Sequence, residues 1–149
     1  MNSTNNINNE PIDRGYDMYG RKKPDLLPAR DCAITAAKAA DSKKATDILV
    51  LEVGDLVGLT EYFVIATAAN RLQARAVCDE VEKQCLEKAG AKVKHCEGTG
   101  DNSWNLLDYG SFIVHVFSPE AREFYKLEDV WKNAPSIDLQ KEAGIESSE

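Results

Sequence analysis

The stretch that decides the fold class of this chain is WNLLDYGSFIVHVF, residues 104–117. Two apolar runs, WNLLD at 104–108 and FIVHVF at 112–117, flank a polar turn that contains Gly110. Strand side chains alternate between two faces, and short polar turns with glycine join antiparallel strands, so the stretch predicts a β-hairpin. Such a hairpin needs further strands or helices to cover its apolar side chains.

Alternation along the first strand of the hairpin separates its side chains into two sets. One face carries Trp104, Leu106 and Asp108, and the other carries Asn105, Leu107 and Tyr109. One set must face the core, and the pattern alone leaves open which. The other set, with either the tryptophan or the tyrosine, is then expected nearer to solvent.

Upstream of the hairpin, helix and strand patterns alternate as in an α/β fold. Residues 31–40 are alanine-rich and residues 70–88 repeat apolar positions at helical spacing, so both are predicted helices. Apolar runs at 48–51 and 62–65 predict buried strands, and their short connection favours antiparallel neighbours. Alternation at 92–96 predicts one more strand.

Capping residues mark the ends of the predicted helices. Asn70 and Gln73 have the spacing of a capping box, and Gly90 stands where a helix commonly ends in a left-handed conformation. Ser118 followed by a proline is typical of a helix start. It predicts a further helix that carries apolar and aromatic residues as far as Trp131.

The two ends of the chain differ from this central region. Residues 1–28 are first asparagine-rich and then mix charges with glycine and tyrosine, which predicts a flexible N-terminal tail. Residues 135–149 are acidic and polar, and they predict a frayed C-terminal tail. A single domain is therefore expected over residues 29–134.

Composition limits the classes of partner and compartment. The chain has 149 residues and a formal net charge of −7, and 43% of its residues are hydrophobic, as in one globular domain. An acidic chain is poorly suited to phosphate backbones, so we expect no direct sequence-specific nucleic acid binding. Without a signal segment or a bilayer-length apolar run, we expect a cytoplasmic protein with no membrane contact. Its four cysteines are expected to be reduced thiols.

Catalysis requires reactive groups that are placed together, and the sequence offers few. His115 lies between two valines within a strand, while His95 and Cys96 point to opposite faces of another. The chain has no P-loop, no HExxH, no CxxC and no Asp-x-Asp pair for metal ions. We therefore predict no enzymatic activity, no cofactor and no metal site.

Aromatic and charged residues in and after the hairpin instead indicate a protein-binding surface. Trp104 or Tyr109 would contribute from the hairpin, and Arg122 and Tyr125 from the helix that follows. Tryptophan, tyrosine and arginine are enriched among interface hot spots, each worth about 2 kcal/mol or more when central. Trp131 ends an apolar stripe and is predicted to lie in the core.

The same residues resemble the signature of the Iojap/RsfS family. The matching motifs are WNLLDYG at 104–110, VHVF at 114–117, ExRxFYxLE at 120–128, VW at 130–131, TEYFVI at 60–65 and LQARAVCD at 72–79. The resemblance covers nearly the whole central domain. It implies a mixed five-stranded α/β sheet flanked by helices, similar in shape to nucleotidyltransferases but without their catalytic carboxylates.

The resemblance also implies a function. Members of this family bind the large ribosomal subunit at its fourteenth protein and block association with the small subunit, which represses translation when nutrients are scarce. The partner-binding role transfers first to Trp104, and then to Asp108, Tyr109, Arg122 and Tyr125. Asp108 and the acidic surface would speed encounter with a basic ribosomal protein.

Other interpretations stay open at this point. A large-subunit assembly factor could use the same surface, and a nucleotidyltransferase-like enzyme would need paired carboxylates. Relatives are often dimers when free, so a homodimer is a further expectation. Residues 67–70, TAAN, and Ser111 depart from the serine–glycine run and the aspartate usual in the family, which affects a helix start and the hairpin turn.

Overall fold

A computed structural model describes residues 25–54 and 58–146. The strands are β1 Thr46–Glu52, β2 Tyr62–Thr67, β3 His95–Gly98, β4 Trp104–Asp108 and β5 Phe112–Phe117. The helices are α1 Ala29–Ser42, α2 Arg71–Ala89, α3 Pro119–Tyr125, α4 Leu127–Val130 and α5 Leu139–Ala143. The strands form one five-stranded sheet in the order β1-β2-β5-β4-β3, which confirms the predicted mixed sheet.

The hairpin is confirmed at its predicted bounds. β4 pairs antiparallel with β5, from Trp104 opposite Phe117 to Asp108 opposite Ile113. The turn needs a glycine because Gly110 has φ 87°, in the left-handed region. Its backbone N–H donates to Asp108 Oδ1 at 2.8 Å, which closes the turn.

The central strand pair of the sheet is parallel. β1 and β2 pair antiparallel as predicted, with Val50 opposite Val64, and β2 then pairs in parallel with β5, with Val64 opposite Val114. Parallel neighbours require a crossover, and the chain through α2, β3 and β4 supplies it. The carboxyl ends of β2 and β5 therefore lie side by side, at the starts of α2 and α3.

α1 and α2 cover one face of the sheet. Their bounds differ from the predicted helices by one or two residues at each end. Asn70 accepts a hydrogen bond from the Gln73 N–H at 2.8 Å, and Gly90 has φ 68°, which confirms both predicted caps of α2. None of the described helices has both the length and the apolar character to cross a membrane.

The prediction of a strand at 92–96 was wrong at both ends, because the strand lies at His95–Gly98. Its partner explains the shift: β4 ends at Asp108, which lies opposite His95. All four residues of β3 are exposed, since this strand forms an edge of the sheet.

The single helix predicted from Ser118 to Trp131 is two short helices, which corrects that prediction. Lys126 adopts φ 47°, and this left-handed residue ends α3 before α4 begins. The predicted N-cap is confirmed, because Ser118 Oγ accepts from the Ala121 N–H at 3.1 Å.

Residues 135–146, the part of the predicted C-terminal tail that the structure describes, pack against the domain. Ser136 forms a bridge to Leu51, and Ile137 donates its N–H to Val50 O at 2.9 Å, so the segment lies along β1. Its buried side chains are Ile137, Leu139 and Ile145. Single apolar residues in a polar stretch show no period, which is why the sequence pattern missed them.

The N-terminal tail predicted at residues 1–28 lies mostly outside the described residues, which begin at Asp25. Leu27 donates its N–H to Ala89 O at 2.9 Å, and Cys32 Sγ donates to Leu27 O at 3.4 Å. The chain is therefore attached to the end of α2 from Leu27 onward.

The sheet separates two apolar clusters. The one under α1 and α2 is built largely of small and β-branched side chains. We call the opposite face the aromatic face; it carries Phe63, Trp104, His115, Phe117, Tyr125 and Trp131. Among the described residues, those that pack over this face come from α3, α4 and the turn at Ala134. Trp131 is partly buried there, 5.8 Å from the Phe63 ring, in agreement with its predicted core position.

Candidate partner-binding surface

Trp104 begins β4 on the aromatic face. Its ring centroid lies 4.9 Å from that of Phe117 and 4.6 Å from that of Tyr125. Aromatic pairs at such distances contribute about 0.5–1.5 kcal/mol beyond their buried area. The indole is only partly buried, so Trp104 and Tyr125 form a supported aromatic pair that solvent still reaches.

Phe124 extends this exposed aromatic surface. It is 78% exposed and Tyr125 is 45% exposed, and their rings meet edge to face at 5.0 Å. Adjacent large apolar side chains on the surface of a folded domain mark interaction sites. Sequence reasoning missed Phe124 as a site residue. Helical spacing was the signal that could have identified it. The buried positions of α3 are Ala121 and Arg122, and Phe124 therefore lies on the outer side of the helix.

His115 is a buried polar residue of the aromatic face. Its Nδ1 accepts a hydrogen bond from Trp104 Nε1–H at 3.2 Å, and its ring meets Phe63 edge to face at 4.9 Å. Burial lowers the pKa of His115 to about 4, so the imidazole is neutral near pH 7. An imidazole that accepts at Nδ1 carries its proton at Nε2, and that buried nitrogen has no partner among the described residues.

Arg122 joins three elements. Its Nε donates to both carboxylate oxygens of Glu128 at 3.0 and 3.1 Å, and its Nη1 donates to Thr67 Oγ1 at 2.8 Å. The residue is only 9% exposed. The guanidinium therefore connects α3 to α4 and to the end of β2, and its role as a partner contact stays a prediction.

Tyr109 belongs to the core under α1 and α2. It is buried and stacks on Phe112 with ring centroids 4.4 Å apart. Burial, and then the nearby Cys85, raise the pKa of the Tyr109 hydroxyl far above its usual range. Its burial leaves little of the ring for a partner to touch, and its role as a contact residue stays a prediction.

Asp108 lies at the opposite end of β4 from Trp104. Four strand steps of about 3.3 Å place the two residues roughly 13 Å apart. The Asp108 carboxylate accepts the Gly110 N–H, so it stabilises the hairpin turn. Of the five predicted site residues, the structure thus brings only Trp104 and Tyr125 together at the surface.

A groove of about 290 Å³ opens beside Trp104. Its lining residues are Glu97, Gly98, Thr99, Trp104 and Leu106. Thr99 Oγ1 accepts the N–H groups of Ser103 and Trp104 at 2.9 and 3.2 Å. Hydrogen bonds from Thr99 and from the Ser103 N–H lower the pKa of Asp101 to about 2. These bonds order the loop before β4 and so fix the position of the Trp104 backbone.

The described residues offer little reactive chemistry. No three His, Cys, Asp or Glu side chains among them are placed to hold a metal ion. Burial raises the pKa of Cys78 and of Cys85 to about 12, so both stay protonated thiols. His95 pairs with Glu97 at 2.8 Å on the exposed edge strand. The arrangement around Trp104 is therefore suited to apolar contact with another molecule.

Comparisons with known proteins show which family this chain resembles. Residues 27–149 match the family RsfS, described as "Ribosomal silencing factor during starvation". "Ribosomal silencing factor RsfS" of Bacillus subtilis is 38% identical over 104 residues, which are 70% of this chain and 87% of that protein. "Protein Iojap, chloroplastic" of Zea mays is 44% identical over 107 residues. Those residues are 72% of this chain and 46% of the maize protein, so the chain spans about half of that longer relative.

Solved structures share the fold. A protein of Chromobacterium violaceum superimposes with a TM-score of 0.67 at 28% identity, over 71% of this chain and 88% of that one. A protein of Bacillus halodurans gives a TM-score of 0.62 at 29% identity, over 74% of this chain and 99% of that one. The family match includes the whole sheet, both long helices and the C-terminal segment. The chain therefore belongs to the RsfS family of ribosomal silencing factors.

Proposed function

We propose that this protein binds the large ribosomal subunit through its aromatic face and sterically blocks association with the small subunit, which represses translation. The contact on the ribosome is the fourteenth protein of the large subunit. Family membership supports the ribosomal role. The observation that carries the choice of surface is the exposed Phe124–Tyr125 pair packed beside Trp104.

The geometry of Trp104 suits a binding anchor. Phe117 and Tyr125 hold its ring on two sides before any partner arrives. A side chain that is already ordered loses less conformational entropy on binding, so more of its contact energy appears as affinity. Steric blocking needs only affinity for the ribosome and the bulk of the folded domain.

Charge near this surface fits a basic partner. Glu97 in the groove beside Trp104 and Glu123 on α3 have side chains that are 67% and 79% exposed. The whole chain carries a formal net charge of −7. Complementary charge mainly accelerates encounter and makes it sensitive to salt. A basic ribosomal protein is a better match than bare RNA, whose phosphates would be repelled.

Sedimentation with purified large subunits tests the proposal. Trp104→Ala should weaken binding about 30-fold or more, as expected for a hot spot of about 2 kcal/mol. It should also restore subunit joining in a mixture of both subunits. Leu72→Ala is the matched control, because Leu72 is 81% exposed on α2, away from the aromatic face. Equal binding by the two variants would overturn the choice of surface, and urea unfolding verifies that Trp104→Ala remains folded.

The same surface could serve assembly of the large subunit, and depletion distinguishes the two roles. Loss of an anti-association factor leaves ribosomal RNA processing normal, whereas loss of an assembly factor leads to accumulation of precursor RNA. The proposal requires normal processing.

We also propose that the free protein is cytoplasmic and forms a homodimer through the aromatic face. When two copies pair through this face, their exposed aromatic side chains are removed from water, as they would be on the ribosome. The removal of apolar surface from water favours association in both cases. Sedimentation equilibrium should then show a dimer that Phe124→Ala weakens, and imaging of the tagged protein should place it in the cytoplasm.

A further inference from the structure

We propose that His115 is a positioning residue for the binding surface: it accepts the only polar hydrogen of the Trp104 side chain and so leaves an apolar indole surface for the partner. This inference rests on the proposed function, because it takes Trp104 as a contact. It adds a residue that touches no partner and defines the chemistry that Trp104 offers.

The hydrogen bond crosses from one strand of the hairpin to the other. Trp104 lies opposite Phe117 and His115 lies opposite Leu106, so the two side chains are diagonal neighbours on one face. Trp104 Nε1 lies 3.2 Å from His115 Nδ1. An indole has a single donor and no acceptor, so this bond uses all of its hydrogen-bonding capacity.

The imidazole is itself held in place. It is 4% exposed, lies edge to face against Phe63 at 4.9 Å, and is nearly parallel to the Phe117 ring at 6.1 Å. Trp104 is its only hydrogen-bond partner among the described residues, since Nε2 has none. Burying an imidazole in apolar surroundings costs free energy that a leucine would not cost. The function that this histidine can perform there is to accept the indole N–H.

The bond defines the orientation of the indole. The nitrogen side of the ring is directed into the protein, while Phe117 and Tyr125 contact the ring at 4.9 and 4.6 Å. Because the bond uses the indole N–H, the part of Trp104 that we expect a partner to contact is its carbon edge, beside the groove that Leu106 also lines. The partner group at this position must therefore be an apolar or cationic side chain, because a hydrogen-bond acceptor would find no donor on Trp104.

Nuclear magnetic resonance tests the bond directly in the intact protein labelled with ¹⁵N. A scalar coupling across the hydrogen bond should join Trp104 Nε1 to His115 Nδ1, and His115 should carry its proton at Nε2. The spectrum of the Trp131→Phe variant keeps only the indole signal of Trp104, and this assigns the two indole signals of the wild type. Absence of the coupling, or a proton at Nδ1, would overturn the inference.

Substitutions at His115 test its role in binding. His115→Leu fills similar space without an acceptor, and it should weaken binding to large subunits about fivefold, the effect of one lost hydrogen bond. His115→Asn places Oδ1 where Nδ1 stood and should restore most of that loss. Equal binding by the leucine and asparagine variants would contradict the inference. If His115→Leu does not fold, the nitrogen–nitrogen coupling and the comparison of His115→Asn with wild type decide.

A matched variant separates positioning from general stability. Val116→Ala removes buried volume from the other face of β5, under α1 and α2, without touching the indole. It should lower the free energy of unfolding but leave the affinity of the folded protein unchanged. If it weakens binding as much as His115→Leu does, the effect is one of stability and positioning is refuted.

The two proposals fail in different ways. If wild type does not bind large subunits, the proposed function is wrong whatever His115 does. If wild type binds and Trp104→Ala does not, while His115→Leu binds like wild type, the function stands and the positioning role is lost.

Discussion

The two faces of the sheet are built from different side chains and covered to different extents. Under α1 and α2, 14 and 19 residues long, the core contains valines such as Val64 and Val114 that are fully buried. On the aromatic face the covering helices have seven and four residues, and the polar side chains of Thr67, His115 and Arg122 lie buried. One face therefore supplies close packing, while the other holds large rings in defined positions.

The difference follows from what each face must do. β-Branched side chains and the alanines of α1 let helix and sheet approach closely, and the stability gained depends on filled volume. Trp104, Tyr125 and Trp131 on the aromatic face remain at least partly exposed, so apolar burial alone cannot fix the orientation of their rings. Directional bonds do so there: Trp104 to His115, and Arg122 to Glu128 and Thr67. We expect substitutions on the first face to change stability, and substitutions on the second to change orientation and binding.

The largest expected effect is on the helix-covered face. Phe112→Ala removes a ring that is 1% exposed and stacks on Tyr109, and it should lower the free energy of unfolding by about 3–5 kcal/mol. Urea denaturation measures it. The matched control, Phe124→Ala, removes the same ring at an exposed position and should stay within about 0.5 kcal/mol of wild type. Equal losses would erase the distinction between the two faces.

Acidification should act mainly through the aromatic face. The pKa of His115 is lowered to about 4 from an ordinary 6.5, so between these values the unfolded chain binds a proton that the folded chain does not. The resulting loss of stability begins as the pH falls below about 6.5 and reaches about 3 kcal/mol near pH 4. Urea denaturation at several pH values should show this slope in wild type and a smaller one in His115→Asn. An unchanged slope in the variant would contradict the assignment.

Breaking the ion pair that joins α3 to α4 should have an intermediate effect. Glu128→Gln leaves the buried Arg122 guanidinium without its carboxylate, and it should cost about 2 kcal/mol, less than a fully buried pair because Glu128 is partly exposed. Thermal unfolding monitored by circular dichroism measures the loss. Glu123→Gln is the control, since its pairing with Lys126 is at the surface and is worth about 0–1 kcal/mol. Similar melting of both variants would show that the pair is dispensable.

The smallest predicted effect concerns binding alone. Phe124→Ala should leave stability unchanged and weaken attachment to large subunits about three- to tenfold, as expected at the rim of a hot spot. Pelleting assays at several protein concentrations provide the affinity. Affinity as high as that of Leu72→Ala would exclude Phe124 from the interface.

Local signals were sufficient for much of the fold. Alternation, turn chemistry and caps predicted the hairpin, β1, β2 and α2, because each depends on residues close in sequence. The start of β3 depended on where β4 ends, and the break at Lys126 depended on a left-handed lysine, for which the sequence carries no signal. Ile137 and Leu139 are buried because the chain returns to β1, a contact between distant residues.

The candidate site shows the same division. The sequence alone supplied three things: the residue types, the two alternating sets of side chains on β4, and the resemblance that pointed to a ribosomal partner. Tertiary structure decided that Tyr109 lies in the core, that Arg122 is an internal connection and that Trp104 stays near solvent. The physical reason is that a strand's twofold alternation treats its two faces alike, and only the difference between the long helices over one face and the short helices over the other makes the faces different.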